Sequence, residues 1–110
     1  MPKHDFGIMP KKPVSGKRYD EYKPEKYNCI SVDDDFLSPY LEDLRSVKCY
    51  WHTLDRPEDG LAYYGVTLIP PNSIEIIIRI LENDDTHFSE LTAMLLRAQR
   101  EDKYIIHYGI

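Results

Sequence analysis

Beyond residue 26 the apolar positions fall into runs of two different periods. Residues 27–32 alternate and are rich in β-branched and aromatic side chains, which suits a pleated strand. Asp33, Asp34 and Asp35 close that run. Ser38 followed by Pro39 marks a helix start, since serine accepts a bond from an orphan amide and proline at the first helical position loses none. Leu41, Leu44 and Val47 then share one side. Residues 49–54 and 61–69 form two further strands, and the loop between them, 55–60, holds a proline and ends in glycine, as longer hairpin loops do. Asn72 with Glu75 three positions on opens a helix that carries Ile74, Ile77, Ile78 and Leu81 along one face. Isoleucine at 74, 76, 78 and 80 also satisfies a period of two, so a strand competes there; the cap and Pro70 with Pro71 favour helix. A second helix spans 87–102 with Phe88, Leu91, Leu95 and Ala98 in one stripe, and 104–110 forms the last strand.

The order β-α-β-β-α-α-β predicts an α+β fold of the split β-α-β, ferredoxin-like kind: a two-layer sandwich with a four-stranded antiparallel sheet and helices on one face. A chain of 110 residues has room for one such domain, assigned to 27–110. Residues 1–26 hold four prolines and two glycines, follow neither period and form an irregular strap. The strap is not a plain disordered tail, because Phe6, Ile8, Met9, Val14, Tyr19 and Tyr22 supply apolar anchors.

Charge divides unevenly between these parts. The strap carries seven Lys or Arg against four Asp or Glu, and the remainder seven against fifteen. A basic, aromatic strap on an acidic body invites contact with its own domain or with a second copy. With 42% hydrophobic and 30% charged residues and no apolar run near the ~20 residues that span a bilayer, the chain reads as a cytoplasmic protein, free of membrane and of a secretory signal.

Alternation places Ile30, Val32, Val66 and Leu68 beneath the helices and leaves Tyr27, Cys29, Ser31, Tyr63, Gly65 and Thr67 on the open face, joined by Trp51 or by Tyr50 with His52. The candidate binding face comprises Tyr27, Trp51, His52, Tyr63 and His107. Aromatic sheet faces stack RNA bases in some folds, but an acidic body repels phosphate, and nucleic acid is not expected as a partner. Cys29 and Cys49 fit no metal or redox spacing and read as free, inert thiols in different strands. The four histidines match no zinc signature, and no GxSxG, HExxH or phosphate-loop pattern occurs.

In the expected topology the first two strands run in the same direction. Asp33, Asp34 and Asp35 then lie near Asp55, Glu58 and Asp59, a carboxylate pole able to hold Mg²⁺ or Ca²⁺ weakly. The plainer role of the first three is to face a helix N-terminus. The leading functional expectation is a non-catalytic binding protein, toxin-neutralising or regulatory, whose acidic surface engages a basic protein partner and which forms a homodimer through the open sheet face. A divalent-cation-dependent enzyme or cation-binding domain built on the carboxylate pole is the second. The third is a small-ligand-binding regulatory module with a pocket between sheet and strap, lined by Tyr63, Trp51 and His107.

Overall fold

The computed structural model describes residues 2–110, the side chain of Asp85 excepted. It is an α+β fold built on one six-stranded antiparallel sheet. The strands are β1 (Lys3–Ile8), β2 (Ile30–Asp33), β3 (Lys48–Trp51), β4 (Pro57–Asp59), β5 (Val66–Ile69) and β6 (Ile105–Tyr108), in the order β2-β1-β6-β5-β3-β4. Four helices, α1 (Asp34–Leu37), α2 (Leu41–Leu44), α3 (Ile74–Leu81) and α4 (Asp85–Arg100), pack on one face, and residues 9–29 cross the other.

The four-stranded ferredoxin-like layout is therefore corrected. Residues 3–8 are not irregular: β1 sits between β2 and β6, with Phe6 opposite Ile30 on one side and His107 on the other. The alternation of His4, Phe6 and Ile8 is a short strand signal that the prolines and glycines around it obscure. The sixth strand, β4, is the second half of the predicted loop, which folds back along β3 with Glu58 opposite Cys49. The third predicted strand begins only at Val66, because 61–65 form a turn.

The long amphipathic helices follow the sequence pattern. Along α3, Ile74, Ile77, Ile78 and Leu81 are buried whereas Ile76 is 44% exposed, so the period is helical and the competing strand does not form. The predicted cap is not used: Ser73 Oγ instead donates to the carbonyl of Lys48, and Glu75 takes bonds from Arg79 and Gln99. Asp84 caps α4 by accepting from the His87 amide, and Phe88, Leu91, Leu95 and Ala98 fill the core. The helical turns after β2 start at Asp34 rather than at Ser38.

One face assignment reverses. Thr67 lies opposite His107, which lies opposite Phe6, so Thr67 and Ile69 face the helices while Val66 and Leu68 join Ile106 and Tyr108 beneath the strap, clustered with its Met9 and Tyr27. All four residues of β5 are buried, so its sequence lacks the polar alternation that would have marked its faces. The face predicted to be open is thus covered by the chain's own strap, with Tyr19, Tyr27 and Tyr104 packed on it. No helix is long and apolar enough to cross a membrane, among the described residues.

Since β1 bridges β2 to β6, a chain that begins at residue 27 is expected to lose the fold, giving the circular dichroism and amide NMR spectra of an unfolded polypeptide. Folded spectra from that chain would show the N-terminal strand to be dispensable.

Candidate functional site

Two polar networks occupy the end of the sheet where β1 begins, one on each face. On the helix side, successive bonds join five residues from five segments. The Tyr63 hydroxyl donates to Asp34 Oδ2 at 2.8 Å, and His4 Nε2 meets Asp34 Oδ1 at 2.8 Å. His4 Nδ1 lies 2.9 Å from His107 Nε2, and His107 Nδ1 lies 3.1 Å from Thr67 Oγ1, which also accepts from the Ala62 amide at 2.8 Å. The Asp34 carboxylate accepts only, which places the His4 proton on Nε2. In the tautomer with one proton on each imidazole, His107 donates through Nε2 to His4 Nδ1 and the Thr67 hydroxyl donates to His107 Nδ1, so that every donor meets an acceptor.

His4, Thr67 and His107 are fully buried. The hydrogen bond from His4, helped by that from Tyr63, holds the Asp34 carboxyl below its ordinary value, and the same Asp34 raises the Tyr63 hydroxyl. Burial, with His4 as neighbour, keeps His107 well below the ordinary histidine value. These bonds tie α1, β1, β5, β6 and the 62–65 turn together at one end of the sheet.

The strap side of the same end holds a cleft of about 720 Å³. Asp5 and Tyr108 form its floor, paired across β1 and β6. Tyr22 and Asp20 of the strap form one wall, and His52, Tyr64 and Gly65 the other. Asp5 is buried and accepts from the hydroxyls of Tyr22 and Ser31. That bond to Asp5 is the main cause lifting the Tyr22 hydroxyl to about 12. The Tyr22 ring stands at 87° to the Tyr108 ring, centroids 5.1 Å apart. His52 has a positive φ of 65°, an uncommon conformation for a side-chain-bearing residue. Its Nδ1 approaches Asp20 Oδ1 to 2.6 Å, off the axis of a ring N–H bond. Its ring packs so closely on Gly65 that a β-carbon there would collide with it. Gly109 needs glycine for a similar reason: a side chain would run into the carbonyls of Ala62 and Tyr63, between which the C-terminal backbone hydrogen-bonds to Gly65 and Tyr63.

The predicted sites are redistributed. β2 and β3 do run in the same direction, but they stand four strand positions apart, roughly 19 Å at ~4.8 Å per strand. Asp33, Asp34 and Asp35 are therefore remote from Asp55. Glu58 and Asp59 descend along β4, which places Asp59 opposite Lys48 at the far end of the sheet. The carboxylate pole does not assemble, and no cluster of three or more metal-ligating side chains occurs among the described residues. The binding-face candidates split. Tyr27 is buried between the covering segment and the sheet, and Trp51 lies on the helix side with its Nε1 donating to the Gly60 carbonyl. Tyr63 and His107 belong to the buried chain, so neither they nor Trp51 line the cleft; of the five, His52 does. Cys29 and Cys49 sit in the two separate cores, and burial raises both thiols to about 12. Sequence reasoning gave no site role to His4, Asp5, Asp20, Tyr22 or Tyr108; Tyr22 entered only as an apolar anchor of the strap, and the alternation of 4–8 is the signal that could have placed His4 and Asp5 on a strand.

Comparison of the chain with protein-family models, with curated proteins and with solved structures yields no match.

The buried histidine makes a pH prediction. An unfolded histidine titrates near 6.5, so below about that pH the unfolded chain takes up a proton that native His107 refuses. Its stabilising contribution is complete above the unfolded value. It falls by about 1.4 kcal/mol per pH unit on acidification until the depressed native value is reached. Urea unfolding at about pH 7.5 and about pH 5 should show a larger acid loss for the native protein than for His107→Gln; equal losses would contradict this role.

Proposed function

We propose that the protein is a small-molecule-binding module that acts by binding rather than by catalysis, its ligand seated in the cleft between strap and sheet. The observation that carries this reading is the cleft itself. At about 720 Å³ it lies in the range of small-molecule sites, and its few polar groups converge on walls that are mainly aromatic and aliphatic. Tyr22 and Tyr64 are 58% and 81% exposed beside it, apolar surface that a ligand would cover. The non-catalytic part of the reading rests on how the polar groups are engaged. Asp5 is held by two hydroxyls, and Asp20 is shared between Arg18 and His52, which fixes positions rather than leaving a base free.

A second reading, a protein partner of basic character, has support on the helix side. Asp35, Glu42 and Asp43 stand exposed on α1 and α2, and of these only Glu42 has a cation partner among the described residues, Arg45 at 3.9 Å. Association through that surface would slow markedly with added salt.

The cleft reading is tested by fragment screening with amide NMR detection. Hits are expected to shift Asp5, Tyr22, Gly65 and Tyr108. Tyr64→Ala should weaken them about fivefold, the effect of losing roughly 1 kcal/mol of aromatic contact, with an unchanged melting temperature because the ring is exposed. Hits that map elsewhere would reject the cleft as the site.

A further inference from the structure

We infer that the ligand of this cleft carries an organic ammonium group, with Asp5 as its counter-ion and the Tyr22–Tyr108 corner as its aromatic enclosure; the inference rests on the cleft being a ligand site. Asp5 is 4% exposed, and no Lys, Arg or His comes within ion-pair distance of it among the described residues. The hydroxyls of Tyr22 and Ser31 satisfy part of its hydrogen-bonding capacity but bring no positive charge, and a buried carboxylate without a cation is costly. A carboxylate has about four lone-pair directions, so room for a further partner remains.

The surroundings select the partner's chemistry. Asp20, a second carboxylate of the cleft, already faces Arg18 at 2.7 Å and His52 at 2.6 Å, which leaves Asp5 without a cationic partner among the described residues. Lys3 projects from the same face of β1 two residues earlier, exposed and outside ion-pair distance of Asp5. An anionic ligand would meet two carboxylates, and a neutral one would leave the Asp5 charge unmatched. Tyr22 and Tyr108, packed edge to face, and the exposed Tyr64 line the cleft with aromatic surface, which attracts an alkylated ammonium, whose weak hydration makes it cheap to bury. The aliphatic parts of Val66, Pro2 and Ile110 suit an apolar body on the same molecule.

The test uses four probes on the full chain, followed by amide NMR titration: choline, its uncharged carbon isostere 3,3-dimethylbutan-1-ol, the anion 3,3-dimethylbutanoate, and benzyltrimethylammonium. The ammonium probes are expected to shift Asp5, Tyr22 and Tyr108 and to bind about tenfold or more tighter than the isostere, a difference of about 1.4 kcal/mol, with the anion weakest. Asp5→Asn should erase that preference. Should Asp5→Asn fail to fold, Tyr22→Leu is expected to cost the ammonium probes about fivefold while sparing the isostere, and Lys3→Ala to strengthen them. Cleft shifts with equal affinity for choline and its isostere, or a preference for the anion, would overturn the ammonium assignment and leave the cleft reading standing. Ammonium binding that maps away from the cleft would overturn the assignment, and fragment hits that also avoid the cleft would remove the reading beneath it. A trimethyl-lysine peptide, titrated as a fifth probe, that binds tighter than both free ammonium ions would overturn the assignment to a small molecule.

Discussion

Seating of Lys3–Ile8 between Ile30–Asp33 and Ile105–Tyr108 is the constraint from which both polar networks arise. Adjacent residues of a strand point to opposite faces, so one short ladder delivers His4 to the helix side and Asp5 to the strap side. His4 meets His107, and Asp5 meets Tyr108, its partner across the ladder. The two chain ends thereby become neighbours in the middle of the sheet, and the terminal strand β6 has no solvent-facing edge. A slip of one residue would exchange the two faces, placing a carboxylate among the helices and an imidazole under the strap.

The two networks meet through the 62–65 turn. Tyr63 and Ala62 are held by the buried chain, through Asp34 and Thr67, while Tyr64 and Gly65 form part of the cleft wall. Gly109 binds to the carbonyl of Gly65, and Ile110 to that of Tyr63, so the C-terminal residues fasten the same turn from below. The buried imidazoles thus act as a brace for one side of the cleft. Such a fully satisfied network fixes geometry more than it adds stability, because each bond replaces one that water would have made.

The two long helices, the last strand and the pairing of β3 with β5 were legible in the sequence, because each carries its own period or turn chemistry over enough residues to be read alone. The helical assignment of 74–81 survived a competing period of two, and the exposure of Ile76 is the physical arbiter. What the chain could not declare locally was the destination of its first eight residues. His4, Phe6 and Ile8 alternate, but whether that alternation is used depends on a partner about a hundred positions away.

Both corrected site predictions share that cause. Carboxylates at Asp33–Asp35 and at 55–59 were expected to be neighbours because their strands run in one direction; direction is a property of connectivity, whereas distance depends on how many strands intervene, and β1 and β6 intervene with β5. Composition, strand and helix periods, and the division of charge were settled by local chemistry within the chain. Sheet order, the faces of the wholly buried β5, the buried histidine chain and the Asp5 cleft were decided only by tertiary structure, because each needs residues distant in sequence to share one ladder.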